Sequence, residues 1–431
     1  MENNKKPCYF NKVFILYINN KINLFTLVWL KFIKYYVEHI GENMRIVQKY
    51  GGSSVATVEQ ILQIAKHTKK LVQNNDKIII VVSAMGKTTN ELIAIANECA
   101  KNPNKRDLDF LLNIGEMKSV ALLSIALNDL GVSSTCLTGW QAGIETDDSF
   151  GKCFIKKINI SQIEKLLKKH NVVVVAGFQG VCGGELTTLG RGGSDTTAVA
   201  LAAALNARCE IYTDVDGVYF ADPRHFDGVT KADKISYDEM LNLAICGAKV
   251  LDVRCLEIAK KYGVPVYLDK TLNKDENGGT LVVSKTNYYE SLKISGVASL
   301  SGFVLVKCVT KQKTDVFNVL KTFSNTIDFF ECNGEQINFV CKQSDWESVK
   351  KVFVRNKIKF QTKFDLSKLT IAGAGFSTHE GAVLKILQLF EENDINFEHF
   401  YVSETAIYVI LETEKQEKAV SVLIEIFNNK E

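Results

Sequence analysis

The chain has 431 residues, 46% hydrophobic and 23% charged, with 52 Lys and Arg against 49 Asp and Glu for a net charge of +3. This is an ordinary globular balance with room for roughly two to four domains, and near-neutrality gives no warrant for a nucleic-acid or membrane-surface role. Eleven cysteines without a C-x-x-C pair argue against zinc ribbons and thioredoxin chemistry and suit reduced thiols in a cytoplasm.

Residues 1–43 differ from the rest. Two apolar runs, at 13–18 and 24–30, are split by Asn19-Asn20-Lys21, and neither approaches the ~20 residues of a membrane span. Tyr35-Tyr36-Val37-Glu38-His39 offers no small-residue cleavage site. With a second possible start at Met44, the extension is expected to be a non-native upstream translation or a poorly structured arm.

From Met44 the pattern is strand, loop, helix. Ile46 and Val47 lead into Lys49-Tyr50-Gly51-Gly52-Ser53-Ser54, and helical spacing follows from Val58. A glycine pair behind a strand and a lysine suits a polyphosphate, although the turn alone would also ask for glycine. The apolar strand 77–82 ends at Ser83-Ala84-Met85-Gly86-Lys87-Thr88-Thr89. Gly86-Lys87-Thr88 resembles the tail of a Walker A loop, but Val81 stands where its first glycine belongs, so that motif is excluded. Thr88 and Thr89 still occupy the carboxyl end of a buried strand, where α/β sheets bind small molecules.

Next comes a helical region centred on Gly115-Glu116, flanked by Leu111-Leu112 and Val120-Ala121-Leu122-Leu123. A buried acid there needs a partner, whereas an exposed one needs none; spacing leaves both readings open. Leu137-Thr138-Gly139 ends a strand, and a helix is predicted over 161–170. Val172-Val173-Val174-Val175 reads as a fully buried strand.

The chain then runs through Thr188-Leu189-Gly190-Arg191-Gly192-Gly193-Ser194-Asp195-Thr196-Thr197 into the Ala/Leu-rich helix 198–205, with Ser194 or Asp195 expected as N-cap. A glycine-rich turn opening a helix points amides and the positive end of the dipole at one spot, so an anion is the expected guest. Arg191 adds a planar fork for a carboxylate or phosphate. A dinucleotide fingerprint starting at Gly190 would need glycine at Asp195 and is excluded.

Strand 210–213 runs into the acidic turn Asp214-Val215-Asp216-Gly217, closed by Ala221-Asp222-Pro223-Arg224. Those carboxylates suit water-mediated Mg²⁺ or simply a sterically required Asp-Gly turn. Helices at 238–243 and 251–262 flank Cys246-Gly247-Ala248-Lys249-Val250, and 264–268 is another strand. The alternation predicts a doubly wound, mainly parallel α/β sheet. From 296 the rhythm changes to two α+β units of βαββαβ order. The clearer one has strands near 369–375, 397–401 and 406–411 with helices 382–391 and 415–427. The weaker one has strands 303–309, 329–332 and 336–341 with helices 316–323 and 346–353.

In their order, Lys49 to Ser54, Gly115-Glu116, Leu189 to Thr197, Thr213 to Tyr219 with Ala221 to Arg224, and Gly247-Ala248-Lys249-Val250-Leu251 resemble the motifs of aspartate kinases. The match covers nearly all of 44–285 and continues more weakly to the C-terminus. It implies an amino-acid-kinase fold followed by two ferredoxin-like ACT domains, with a division into 44–285, 296–364 and 365–431. It implies transfer of the γ-phosphoryl of ATP to the side-chain carboxylate of L-aspartate, giving 4-phospho-L-aspartate on the route to lysine, threonine, methionine and diaminopimelate. A silent amino-acid sensor or another amino-acid kinase would share much of this pattern.

By resemblance, Lys49 and Asp195 are catalytic. Lys49, Tyr50, Gly51 and Gly52, with Thr213, Asp214, Tyr219, Asp222, Arg224 and Lys249, bind ATP. Thr89, Glu116, Arg191, Gly192, Gly193 and Ser194 bind aspartate. The chemistry agrees: a carboxylate nucleophile is already ionised, so no general base is required, and the work is positioning and charge neutralisation. Glu116 suits the substrate ammonium and Arg191 a carboxylate. Mg²⁺ is expected to ride on the ATP phosphates, with no dedicated protein metal site. Asp252 and Val253 receive no role.

The ACT pair implies a homodimer and an amino-acid effector. Lys313-Thr314-Asp315, His379-Glu380-Gly381 and Val402-Ser403-Glu404 depart from the usual module turns, so the pairing is expected while the effector response stays open. A cytoplasmic location without nucleic-acid or membrane partners completes the expectation.

Overall fold

A computed structural model describes residues 45–72, 77–272, 278–284, 293–310, 313–323, 326–376 and 381–428. The extension 1–43 and the pair His379-Glu380 lie outside them. The first elements are β1 (Ile46–Tyr50), α1 (Val58–Val72), β2 (Ile78–Val82), α2 (Thr88–Cys99), α3 (Lys105–Asp129), β3 (Ser134–Leu137), β4 (Ile144–Thr146), β5 (Ile155–Ile158) and α4 (Ser161–Leu167). After them come β6 (Val172–Ala176), β7 (Gln179–Cys182), β8 (Glu185–Thr188), α5 (Gly193–Leu205), β9 (Arg208–Thr213), β10 (Val218–Tyr219), β11 (Lys231–Ala232), β12 (Lys234–Ser236), α6 (Tyr237–Ile245), α7 (Val253–Tyr262), β13 (Val266–Lys270) and β14 (Thr280–Val283).

Eight of these strands form one sheet in the order β12-β14-β13-β9-β1-β2-β6-β3. All neighbours are parallel except β13 and β14. Strand β1 sits centrally, with Tyr50 opposite Val82 on one side and Tyr212 on the other. Because side chains alternate along a strand, Val47 joins the core beneath α5 with Val81, Val175, Ala198 and Leu201. Tyr50 joins the opposite core with Ile61, Ile64, Ile80 and Leu123 from α1 and α3. The four valines of β6 are wholly buried, and both cores need them. A smaller sheet, β5-β4-β7-β8, carries the loops around 150 and 190.

Helix α3 is long and apolar enough to cross a membrane by length and composition, yet it buries Asp109, Asn113 and Glu116 inside the protein. The helix predicted over 161–170 stops at Leu167. His170 instead accepts Lys77 Nζ at its carbonyl and pairs its ring with Ser133.

The C-terminal part contains β15 (Lys293–Val309), α8 (Lys313–Lys321), β16 (Ile327–Asn333), β17 (Gln336–Lys342), α9 (Gln343–Arg355), β18 (Phe360–Ala374), α10 (Ala382–Glu392), β19 (Phe397–Val402), β20 (Ala406–Glu412) and α11 (Gln416–Phe427). Its six strands form one antiparallel sheet, β16-β17-β15-β18-β20-β19. Strand β15 is shared between two units. Residues 303–309 pair with β17, whereas 293–301 pair with the second half of β18, whose other neighbour is β20. The division expected at 364/365 therefore falls inside β18, and the second unit takes its fourth strand from upstream of the first. Helix α6 joins this sheet to the larger one: Asn242 donates to Thr405 and accepts from Tyr408 OH at 2.9 Å.

Candidate active site

The connection from β1 runs to β2 on one side, and the chain beyond β9 re-enters the sheet at β12 on the other, so a crevice opens at the carboxyl ends of β1 and β9. Four strand ends are stitched together there. Gly51 N donates to Tyr212 O at 3.2 Å, Gly86 N to Gly52 O at 3.0 Å, and Thr271 N to Thr213 O at 3.0 Å. The hydroxyls of Ser54 and Thr271 meet at 2.5 Å. A Cβ on Gly52 would stand 2.9 Å from Ala84 O, so this position takes only glycine.

Lys49 points from β1 toward the first turn of α5. Its Nζ lies 2.6 Å from Asp195 Oδ1, with both side chains largely buried, as an ion-pair contact off the line of an ideal hydrogen bond. The expected N-cap does not form: Gly192, at φ 69°, occupies that position, no side chain caps the helix, and Ser194 and Asp195 fall in its first turn. The left-handed backbone at Gly192 directs the chain into the helix, and a Cβ there would sit 2.2 Å from Asp252 Cγ. The first amide of α5, Gly193 N, is spent on Gly190 O at 3.0 Å, whereas those of Ser194 and Asp195 in the same first turn have no intrahelical partner and are left for a ligand. Ser194 is buried against Gly177, where a Cβ would stand 2.6 Å from its Oγ.

Of the two readings of Glu116, the buried one holds, at 3% exposure. Its Oε1 accepts from Ala84 N at 3.1 Å, while Oε2 has no hydrogen-bond partner among the described residues. Burial pushes its carboxyl up to about 8, the backbone hydrogen bonds opposing this only in part. A Cβ on Gly115 would meet Ala84 Cβ at 2.8 Å, so glycine is what lets α3 come close enough to deliver Glu116. Glu116, Ala84, Gly52, Gly51, Lys49 and Asp195 thus form one contiguous chain of contacts. Thr89 is half-buried in the first turn of α2. Arg191 is exposed on the turn before α5, with no ion pair among the described residues.

On the other side of the crevice, Thr213 Oγ1 donates to Asp214 Oδ1 at 3.0 Å. Asp216 is committed to Tyr219 OH at 2.8 Å and to Lys231 Nζ at 3.2 Å, which favours the structural reading of the acidic turn. Asp222 and Arg224 hold each other in a two-pronged pair, 2.9 and 2.7 Å, and Arg224's hydrogen bonds draw the Asp222 carboxyl down to about 2. Lys249 is exposed.

The amino acid kinase family profile matches residues 44–268. The aspartokinase of Bacillus sp. (strain MGA3) is 39% identical over 400 residues, spanning 89% of this chain and 97% of its own. Aspartokinase 2 of Bacillus subtilis is 37% identical over the same shares. The chain belongs to the aspartokinases of the amino acid kinase family. Aspartokinase III of E. coli, solved with aspartate and ADP, superposes at a TM-score of 0.74 over 88% of this chain and 99% of its own, at 22% identity. The Clostridium acetobutylicum aspartate kinase does so at 0.74 over 89% and 100%, at 24% identity. At those identities the two structures establish the shared aspartokinase fold.

Three residues of this aspartokinase had escaped the reading from sequence. Ala84 matters through its amide alone, which no residue type advertises. Asp109, wholly buried on α3, accepts from Thr188 N at 3.0 Å, Thr188 Oγ1 at 2.7 Å and Gly151 N at 3.0 Å. Its position seven residues before Glu116 puts both on one helix face, a periodicity that was available. Asp252, given no role, caps α7 by accepting from Arg254 N at 3.0 Å and packs against Gly192. Asp ahead of a helical pattern was the signal for that cap.

Proposed function

We propose that this aspartate kinase uses the crevice at β1 and β9 to pass the γ-phosphoryl of MgATP to the side-chain carboxylate of L-aspartate. One carboxylate oxygen forms a bond to γ-phosphorus, the bond to the β–γ bridging oxygen breaks, and ADP leaves with that electron pair. No proton moves, so the site needs positioning and positive charge rather than a base. The observation that carries this reading is Glu116 Oε2, a buried carboxylate oxygen without a hydrogen-bond partner among the described residues, in the same crevice as the Lys49–Asp195 pair. A substrate ammonium satisfies that oxygen and returns Glu116 to its ionised form.

In this reading Lys49, steadied by Asp195, neutralises the transferring phosphoryl group, and Gly52 brings a main-chain donor to the phosphates while Gly51, its N–H spent on Tyr212 O, lets the chain pass close beneath them. Arg191 takes a substrate carboxylate, with Thr89, Gly192, Gly193 and Ser194 lining the pocket. Thr213, Asp214, Tyr219, Asp222, Arg224 and Lys249 face the nucleotide, Tyr50 supports the ATP site from the core, where its ring is buried and stacks on Tyr212, and Mg²⁺ enters as part of the MgATP substrate. The segment 44–285 serves as a kinase domain, and the two ACT-like units expected at 296–364 and 365–431, the second completed by residues 293–301 of β15, pair two chains and take an amino-acid effector. A second E. coli aspartokinase III structure holds lysine and aspartate, which supports a lysine-type effector. Free thiols such as Cys209 and Cys255 suit a cytoplasmic home.

A coupled ADP-release assay with aspartate, glutamate and carbamate, on wild type and Lys49→Ala, tests the reading. Turnover with aspartate alone, lost in the variant, is expected; turnover with glutamate or carbamate, or full activity without Lys49, overturns it.

A further inference from the structure

We infer that Arg254 is a positioning residue for aspartate recognition, setting the Gly190-Arg191-Gly192-Gly193 turn by gripping the main-chain carbonyls of Leu189 and Cys153. This rests on the reading that Arg191 takes a substrate carboxylate. The turn is closed by one hydrogen bond of its own, Gly193 N donating to Gly190 O at 3.0 Å, which leaves the Arg191 side chain itself unheld. Gly190 and Gly192 adopt φ values of 76° and 69°, no side chain caps the helix behind them, and Arg191 is exposed. What surrounds the turn is therefore what sets where Arg191 stands.

Arg254, on the first turn of α7, reaches two separate segments. Its Nη1 donates to Leu189 O, and its Nη2 donates to Cys153 O at 2.8 Å. Its guanidinium lies 4.7 Å from the centre of the Phe154 ring, which holds the plane of the fork. The two gripped segments also bond to each other, Cys153 N donating to Thr188 O at 2.9 Å. From beneath, the Asp109 carboxylate takes Thr188 and Gly151 amides. On the far side of Arg191, the Asp252 carboxylate that caps the helix bearing Arg254 packs against Gly192. One helix end thus brackets Arg191 at both the residue before Gly190 and the residue after Arg191.

The geometry asks for arginine specifically. Two carbonyls on different segments match two donors of a rigid planar fork, whereas a lysine ammonium reaches them singly and without stacking on Phe154. The substituted side chain touches no substrate in this scheme, so its removal acts through the placement of Arg191.

Steady-state kinetics on the full chain, varying aspartate and MgATP separately for Arg254→Met, Arg254→Lys and Arg191→Ala alongside thermal melts, tests this. Arg254→Met should raise KM for aspartate about ten-fold or more, since small misplacements are costly, with KM for MgATP within about two-fold of wild type. Arg254→Lys should fall between, and low-millimolar guanidinium should restore part of the aspartate affinity of Arg254→Met. If Arg191→Ala weakens aspartate binding while both Arg254 variants bind it normally, this inference fails and the site reading stands. If Arg191→Ala leaves aspartate KM unchanged, the reading beneath it fails as well. Equal weakening toward both substrates with a lowered melting temperature marks a merely structural arginine and overturns the inference. Should Arg254→Met not fold, the aspartate-to-ATP split in Arg254→Lys decides the matter.

Discussion

Glu116 accepts the amide of Ala84 through one carboxylate oxygen, at 3.1 Å, and the other has no hydrogen-bond partner among the described residues. A buried acid half-satisfied in this way is costly in its charged form, and its carboxyl accordingly moves up to about 8. Aspartate binding should therefore release a proton below that pH. Calorimetry in buffers of different ionisation enthalpy at pH 7 should show the release fading above about pH 8. Because the folded-state value is raised, Glu116's contribution to stability is full below the ordinary value of 4.5 and is lost progressively as the pH climbs to about 8, so Glu116→Gln should flatten the decline in melting temperature across that window.

The Lys49–Asp195 pair predicts a separation of activity from stability. Lys49→Met should lower kcat by roughly two to three powers of ten, and leaving Asp195 buried alone should cost about 3 kcal/mol. Lys49→Met with Asp195→Asn should recover most of the melting temperature and none of the rate, read by calorimetry and the ADP-release assay.

The glycines at 52 and 115 predict a steric effect on the crevice. A Cβ at either would press on Ala84, at 2.9 Å from its carbonyl oxygen or 2.8 Å from its Cβ. Gly115→Ala should destabilise by about 1–3 kcal/mol and raise KM for aspartate by displacing Glu116. Gly52→Ala should act on MgATP instead, and equal effects of both variants on both substrates would contradict this placement.

Asn242 predicts a link between the two sheets. Its side chain is shared between Thr405 and Tyr408 OH, and Asn242→Ala should cost about 1–3 kcal/mol by stranding those groups. Hydrogen exchange should rise along β20 while the central strands β1 and β9 stay protected.

The alternation of strand and helix, the buried β6 and the glycine turns could be read from residue order, because periodicity and glycine placement are local properties. So could Lys49, Glu116 and Arg191 as residues of interest, since each charge stands in a telling local setting. The burial of Glu116 could not, because it depends on Gly115 meeting Ala84 across 31 positions of chain. Nor could the cap of α5, where packing of Asp252 against Gly192 displaced the local preference for Ser194 or Asp195. The sharing of β15 between two units was equally hidden, because strand pairing is settled by partners distant in sequence. The amino-acid order determined which pieces form and which side chains carry charge. Only the tertiary structure decided which of those charges lose water and face one another, since desolvation and close approach arise when remote segments meet.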